Sequence, residues 1–244
     1  MPPVNRFIRA IIPALAVFLM LVTAADAGPS WRELGAYKDS PLPPPGFKKG
    51  CEGTKTKAAT CRAVAHLTGY QTRFGSHKNP YVVNNRGKLT AVTVRLGKPT
   101  ADQLKFFNQA FGSPTIRLSV LKPNKPDVRH HRDLRLVDQS ETIDVSKYLG
   151  SKEVTFVLSR PLVVPGGPPA TIALTVPTWA PVFTINRPSN ETWRASTPPK
   201  ACGDASVQSA HQTVGQVKFY DCAFKGARLL YHATFLRDPR QTTK

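Results

Sequence analysis

The group of residues best suited to chemistry is His130-His131-Arg132-Asp133, preceded by Arg129. Paired imidazoles can hold a metal or move a proton, and guanidiniums can hold a phosphate or carboxylate. On an extended segment, however, adjacent side chains face opposite ways, and Arg129 and Arg132 repel a cation. No metal site is therefore expected, and anion recognition by an exposed loop is the chemistry left to Arg129, His130, His131 and Arg132. The carboxylates Asp127, Asp133, Asp138, Glu141 and Asp144 share one stretch, while Glu153 and Glu191 stand apart. Glycoside hydrolysis needs two carboxyl groups about 5–10 Å apart, and nothing in this spacing, mostly in predicted turns, requires such a pair. Ser119-Val120-Leu121-Lys122 matches S-x-x-K in residue type, but on a strand residues three apart point to opposite faces. G-x-S-x-G is absent. No catalytic residue and no cofactor is expected.

Flat aromatic rings bind sugars by stacking. Trp179 lies between Pro177 and Pro181, where a strand does not easily continue, so the expectation is an indole projecting from a loop. Trp193 follows Asn190-Glu191-Thr192, and Trp31 lies near the amino terminus. Two placements stay open. Either Trp179, Trp193 and Tyr148 line one rim as a sugar platform, or the two tryptophans close the core at one end.

Charge narrows the partners. The chain carries 34 Lys+Arg against 15 Asp+Glu, a net +19. Residues 46–98 hold eleven basic residues and one acid, Glu52, so the excess is concentrated. Such a field attracts anionic polymers or acidic glycans of a cell envelope, and it also keeps an exported protein soluble. No nucleic-acid recognition motif accompanies it.

The compartment is read from the amino terminus. Arg6 and Arg9 precede the apolar run Ala10 to Val22, and Ala25 and Ala27 stand at −3 and −1 before Gly28, the pattern of a secretory signal peptide over 1–27. The run has 13 residues and contains Pro13, short of the ~20 a spanning helix needs, so no membrane span is expected after processing. Losing Arg6, Arg9 and Asp26 leaves 32 basic and 14 acidic residues, or +18. The four cysteines then read as disulfides, and spacing favours Cys51–Cys61 and Cys202–Cys222. Without a C-x-x-C pair, zinc is not expected.

The positioning elements are strands. Pro41, Pro43, Pro44, Pro45, Gly46 and Gly50 make 28–50 a Pro-rich arm or linker, with a single domain expected over 51–244. Thr90, Val92, Val94 and Leu96 alternate with polar residues, and the same period recurs in Ile116/Leu118/Val120, Leu134/Leu136, Ile143/Val145, Val154/Phe156/Leu158 and Ile172/Leu174/Val176. One helix interrupts them. Thr100 and Gln103 form a capping box, Leu104, Phe107 and Phe111 share a face, and Gly112 ends it. Short strands with Gly/Pro turns predict an all-β antiparallel sandwich, jelly-roll-like, with one capped helix at about 100–111. The apolar strand near the C-terminus should lie inside a sheet beside an early strand.

The series Gly87-Lys88-Leu89-Thr90-Ala91-Val92, Phe106-Phe107-Asn108-Gln109-Ala110-Phe111-Gly112, Ile116 to Leu121 and Ile172 to Pro181 resembles uncharacterised exported β-sandwich proteins of actinobacteria over roughly 80–240. More loosely, it is similar to jelly-roll carbohydrate-binding modules. These motifs are structural and imply no ligand residue. The function expected is a secreted, non-catalytic module recognising an envelope glycan or anionic polymer. The rivals are an exported polysaccharide hydrolase using turn carboxylates and a purely structural envelope protein.

Overall fold

A computed structural model describes residues 30–45, 63–125, 132–197, 201–202 and 209–239. The leader at 1–27, the pair Cys51 and Cys61, and Arg129, His130 and His131 lie outside the described residues. In chain order the strands begin with β1 (Trp31–Leu34), β2 (Val64–Phe74), β3 (His77–Lys78), β4 (Val82–Val83) and β5 (Gly87–Val94). The helix α1 (Ala101–Phe111) precedes β6 (Thr115–Pro123), β7 (Asp133–Gln139), β8 (Ile143–Asp144), β9 (Val154–Val164) and β10 (Ala170–Ala180). The rest are β11 (Phe183–Ile185), β12 (Thr192–Ala195), β13 (Val217–Phe219), β14 (Ala223–Lys225), β15 (Ala227–Leu229) and β16 (Tyr231–Arg237).

Period-2 alternation sorts these strands into two main sheets that share a core. One sheet has the order β1-β16-β5-β9, and the larger runs β13-β7-β6-β10-β2-β12-β14 with β3, β4 and β8 attached. The named pairings are antiparallel, so the molecule is the all-β sandwich expected. Leu89, Val92, Val94, Tyr231, Ala233 and Phe235 from the smaller sheet meet Leu118, Val120, Ile172, Leu174 and Val176 from the larger in one apolar cluster. As anticipated, the C-terminal strand β16 lies inside a sheet, between β1 and β5.

The far side of the larger sheet is covered too. The helix forms with the expected capping box: Gln103 N–H donates to Thr100 Oγ1, and Thr100 N–H to Gln103 Oε1. Its Phe107 stacks on Trp179 at 4.7 Å between ring centroids. Further along this side, Thr68, Ser119, Thr175 and Gln139 form a buried hydroxyl–amide chain with bonds of 2.6–2.9 Å. Beyond it, Tyr220 packs with Leu121, Leu134, Leu136 and Ala173. The Cys202–Cys222 disulfide anticipated from spacing ties Cys202 to the chain just after Tyr220.

Two expectations are corrected. Residues 30–45, inside the stretch expected to be a Pro-rich arm, are bound to the sandwich. β1 pairs with β16 from Trp31↔Leu236 to Leu34↔Ala233, because the prolines begin only at Pro41 and leave Trp31 to Leu34 free to donate and accept. Leu42 is buried in turn, and Arg95 Nη1 holds its carbonyl at 2.6 Å. The second correction concerns Pro177, which does not end its strand. A bulge in the register between Val176 and Trp179 lets β10 continue to Ala180, so Trp179 does not sit in a loop.

Candidate anion-binding face

Among the described residues, Trp179, Trp193, Tyr148 and Arg132 do not assemble into one site. Trp179 is 0% exposed, and its Nε1–H donates to the Gly112 carbonyl at 2.8 Å beneath α1. Trp193, 4% exposed, lies on the other side of the larger sheet, stacked on Phe224 at 4.8 Å. Neither indole can meet a sugar, so the core placement is the one the structure adopts. Tyr148 is 39% exposed on a single 3-10 turn and packs edge-on against Phe156. Arg132 is exposed and stands 3.9 Å from the Asp221 carboxylate.

Three of the carboxylates expected in turns, Asp138, Glu141 and Asp144, are structural, with Asp138 and Asp144 lying in β7 and β8; Asp127 lies outside the described residues. Asp138 accepts from both terminal nitrogens of Arg160 and from the N–H groups of Val163 and Gln139. Glu141 accepts from the Ser159 N–H, so the two side chains close backbone donors of β9. Asp144 caps Ser146 N–H. Burial pushes Asp138 and Glu141 upward, but the hydrogen bonds outweigh it and hold both below the usual carboxylate range. Asp144 is lowered by its bonds to Ser146. A general acid needs the opposite shift. Glu191 is buried against Arg187 at 2.7 Å. Ser119 and Lys122 are apart in function: Ser119 belongs to the buried hydroxyl chain, and Lys122 Nζ donates to Gly166 O at 2.6 Å.

Two other groups, at His211 and Lys218, carry side chains of nucleophilic or basic type. His211 is fully buried, touches the hydroxyl chain only through its backbone, and has no partner at either ring nitrogen. Burial pulls it down to about 4, so it is neutral at pH 7. Lys218 Nζ donates to Ser209 Oγ at 2.6 Å, in a pocket of ≈ 110 Å³ shared with Ser196 and Thr197. At ~30 Å³ per water that pocket holds a few solvent molecules rather than a polymer.

A different place gathers exposed charge and an exposed ring. At the end of the smaller sheet where β5 starts and β16 finishes, two clefts share Arg237. The first, ≈ 320 Å³, is lined by Arg86, Lys88, Val163, Leu236 and Asp238 among others. The second, ≈ 260 Å³, is lined by Ser30, Trp31, Arg32, Asn85 and Phe235. Arg32, Arg86, Lys88 and Arg237 are all exposed, against one lining acid, Asp238. Trp31 is 69% exposed.

The local sequence explains the shape. A Cβ at Gly87 would lie 2.3 Å from Leu236 O and 2.5 Å from the Phe235 ring, so only glycine lets these strands close over that ring. The Arg32 guanidinium lies over the same ring at 5.5 Å. Arg237 N–H donates to Ser30 O and Asp238 N–H to Arg86 O, which fix the strand ends beside the clefts. β1 is held by the segment that follows it. Arg228, fully buried, donates to Ser40 Oγ and to the carbonyls of Ser40 and Pro41, and lies 4.0 Å over Phe74. Sequence reasoning missed this face because its charges are far apart in sequence: Arg32 reaches Arg237 only through the β1–β16 pairing.

No protein-family model matches the chain, and neither the curated proteins nor the solved structures searched contain a match to it.

Proposed function

We propose that the protein is an exported, non-catalytic binding module that takes an anionic polymer of the cell envelope on the clefts around Arg237. The observation that carries this is the meeting of four exposed basic side chains and an exposed indole at one end of the smaller sheet. Two open clefts with adjacent cations suit a linear ligand passing over the surface. The leader expected at 1–27 and the Cys202–Cys222 bridge are consistent with an oxidising destination outside the cytosol. Among the described residues no helix is long and apolar enough to cross a membrane.

The hydrolase alternative draws no support from Asp138, Glu141 and Glu191, which are committed to backbone and arginine donors. Retention of the mature chain on anionic and neutral envelope polymers, at low and high salt, tests the binding. Retention on the anionic polymers that disappears with salt is the expected result. Retention on none of them, or covalent labelling of Ser209 by a fluorophosphonate, would overturn the proposal.

A further inference from the structure

We infer that the outward face of the smaller sheet docks the protein on an anionic phospholipid surface, with Trp31, Leu236, Val157 and Val163 entering the headgroup region and Lys88 meeting lipid phosphates. The inference goes beyond the polymer reading and does not depend on it, since the polymer clefts lie at the end of this sheet and the lipid lies against its face.

Strand register decides which side chains share that face. Leu34, Phe235, Leu89, Val92 and Leu162 point into the core, so their neighbours along each strand point outward. Side chains opposite one another share a face, and one outward row therefore crosses the four strands as Trp31, Leu236, Lys88 and Val163. The next row is Glu33, Thr234, Ala91 and Val157, and His232, Thr93 and Thr155 form a third. Arg32, opposite the inward Phe235, and Arg237, next to the outward Leu236, have the other direction and are no part of these rows.

Exposure is the second observation. The water-facing side of an antiparallel sheet is ordinarily polar. Of the six exposed large apolar side chains among the described residues, however, three stand here: Val157 at 78%, Trp31 at 69% and Val163 at 53%. Leu236 is half-buried between Trp31 and Lys88. The polar groups of the face are occupied with one another. Thr234 Oγ1 donates to Glu33, and the Thr93 and Thr155 hydroxyls bond at 2.8 Å. His232, pulled down to about 4 by burial, is neutral at pH 7. The face thus offers apolar contact with one cation, Lys88, rather than hydrogen bonds to sugar hydroxyls.

Area and charge choose the occupant. Four strands about 4.8 Å apart and three outward positions about 7 Å apart make a face of roughly 14 Å by 14 Å between backbones, or about 200 Å². Each partner of a stable dimer buries ~800 Å², and a second copy would bring +19 against +19. An anionic bilayer meets both conditions, because electrostatic attraction adds to a small apolar contact and indoles settle at the lipid–water boundary. The cleft at the end of the first row sets Arg86 and Arg237 beside Lys88, Val163 and Leu236, against one acid, Asp238.

Trp179 and Trp193 are buried, so a change in tryptophan emission on binding reports Trp31. The full mature chain is mixed with vesicles of phosphatidylcholine alone, with equimolar phosphatidylglycerol added, and with the mixed vesicles carrying brominated acyl chains. Expected are binding at least about tenfold tighter to the mixed vesicles, a blue shift of the emission and quenching by the bromines. W31F should bind within about threefold of the parent without the shift. W31A/V157T should bind at least about tenfold more weakly while its circular dichroism matches the parent. Binding to the mixed vesicles with neither shift nor quenching, or with no loss in W31A/V157T, would mean adsorption by diffuse charge and would overturn the inference. Equal binding to phosphatidylcholine alone, or binding to neither vesicle, would overturn it too. A lipid-free dimer in light scattering that W31A/V157T abolishes would give the face to a second copy and overturn it as well. The polymer reading stands or falls separately, because its assay contains no lipid.

Discussion

Arg228 supplies the sharpest energetic test, because the segment carrying β1 is fastened through it. Its guanidinium donates three hydrogen bonds, to Ser40 Oγ at 2.9 Å, Ser40 O at 3.0 Å and Pro41 O at 3.3 Å. Its carbon lies 4.0 Å over the Phe74 ring, and Nε is buried without a partner. Each bond from a charged donor contributes ~1.5–3 kcal/mol, and a desolvated cation–π contact adds ~2 kcal/mol. Burial of the charge offsets much of this, as its lowered pKa indicates. R228A removes all of these contacts and leaves a void in the core, so a loss of about 3–5 kcal/mol is expected. R228M keeps most of the volume and removes the desolvated charge, and should lose about 1–3 kcal/mol. Urea unfolding measures both, and limited proteolysis should reveal new cleavage within 30–45. A change below about 1 kcal/mol in R228A, with that segment still protected, would refute the reasoning.

Two further outcomes follow from the buried groups. His211 and His232 are pulled down to about 4 by burial, with Lys218 adding repulsion at the first and Arg228 at the second. Their unfolded value is 6.5, so between pH 6.5 and 4 the unfolded chain binds more protons and stability falls with pH. His211 alone should cost about 3 kcal/mol by pH 4, and a urea midpoint flat from pH 7 to 4.5 would contradict this. Asp138, Glu141 and Asp144 are shifted down as carboxylates, so the stability they contribute is lost only at lower pH. Reducing Cys202–Cys222 releases a sequence separation of 20 residues and should lower the unfolding free energy by ~3 kcal/mol; an unchanged midpoint in dithiothreitol would count against this.

What could be read from sequence follows from which positions obey one local rule. β5, β6 and the apolar half of β10 alternate with period 2, and α1 carries its own start and stop signals, so these were legible. β2 was not. Thr68 and Gln71 are buried there because they bond Thr175, Ala227 and Leu229, and with both faces covered the alternation disappears. β1 was hidden behind the prolines that follow it. Trp179 misled because a proline argues against a strand unless a bulge absorbs it, and bulges leave little trace in one sequence. The cleft around Arg237 has no sequence signature, since β1, β5, β9 and β16 assemble it from residues as far apart as Ser30 and Arg237.

The central question is whether the cleft charges or the overall charge of +19 hold the polymer. Two charge-matched triple variants decide it: R32Q/K88Q/R237Q in the clefts, and K78Q/K152Q/K225Q at exposed positions outside their lining. Affinity for one anionic polymer is measured against salt concentration for each, after circular dichroism confirms the fold. The cleft variant should bind at least about tenfold more weakly with a flatter salt dependence, while the remote variant stays within about twofold of the parent. Equal losses in the two variants would contradict the assignment and leave only a diffuse basic surface.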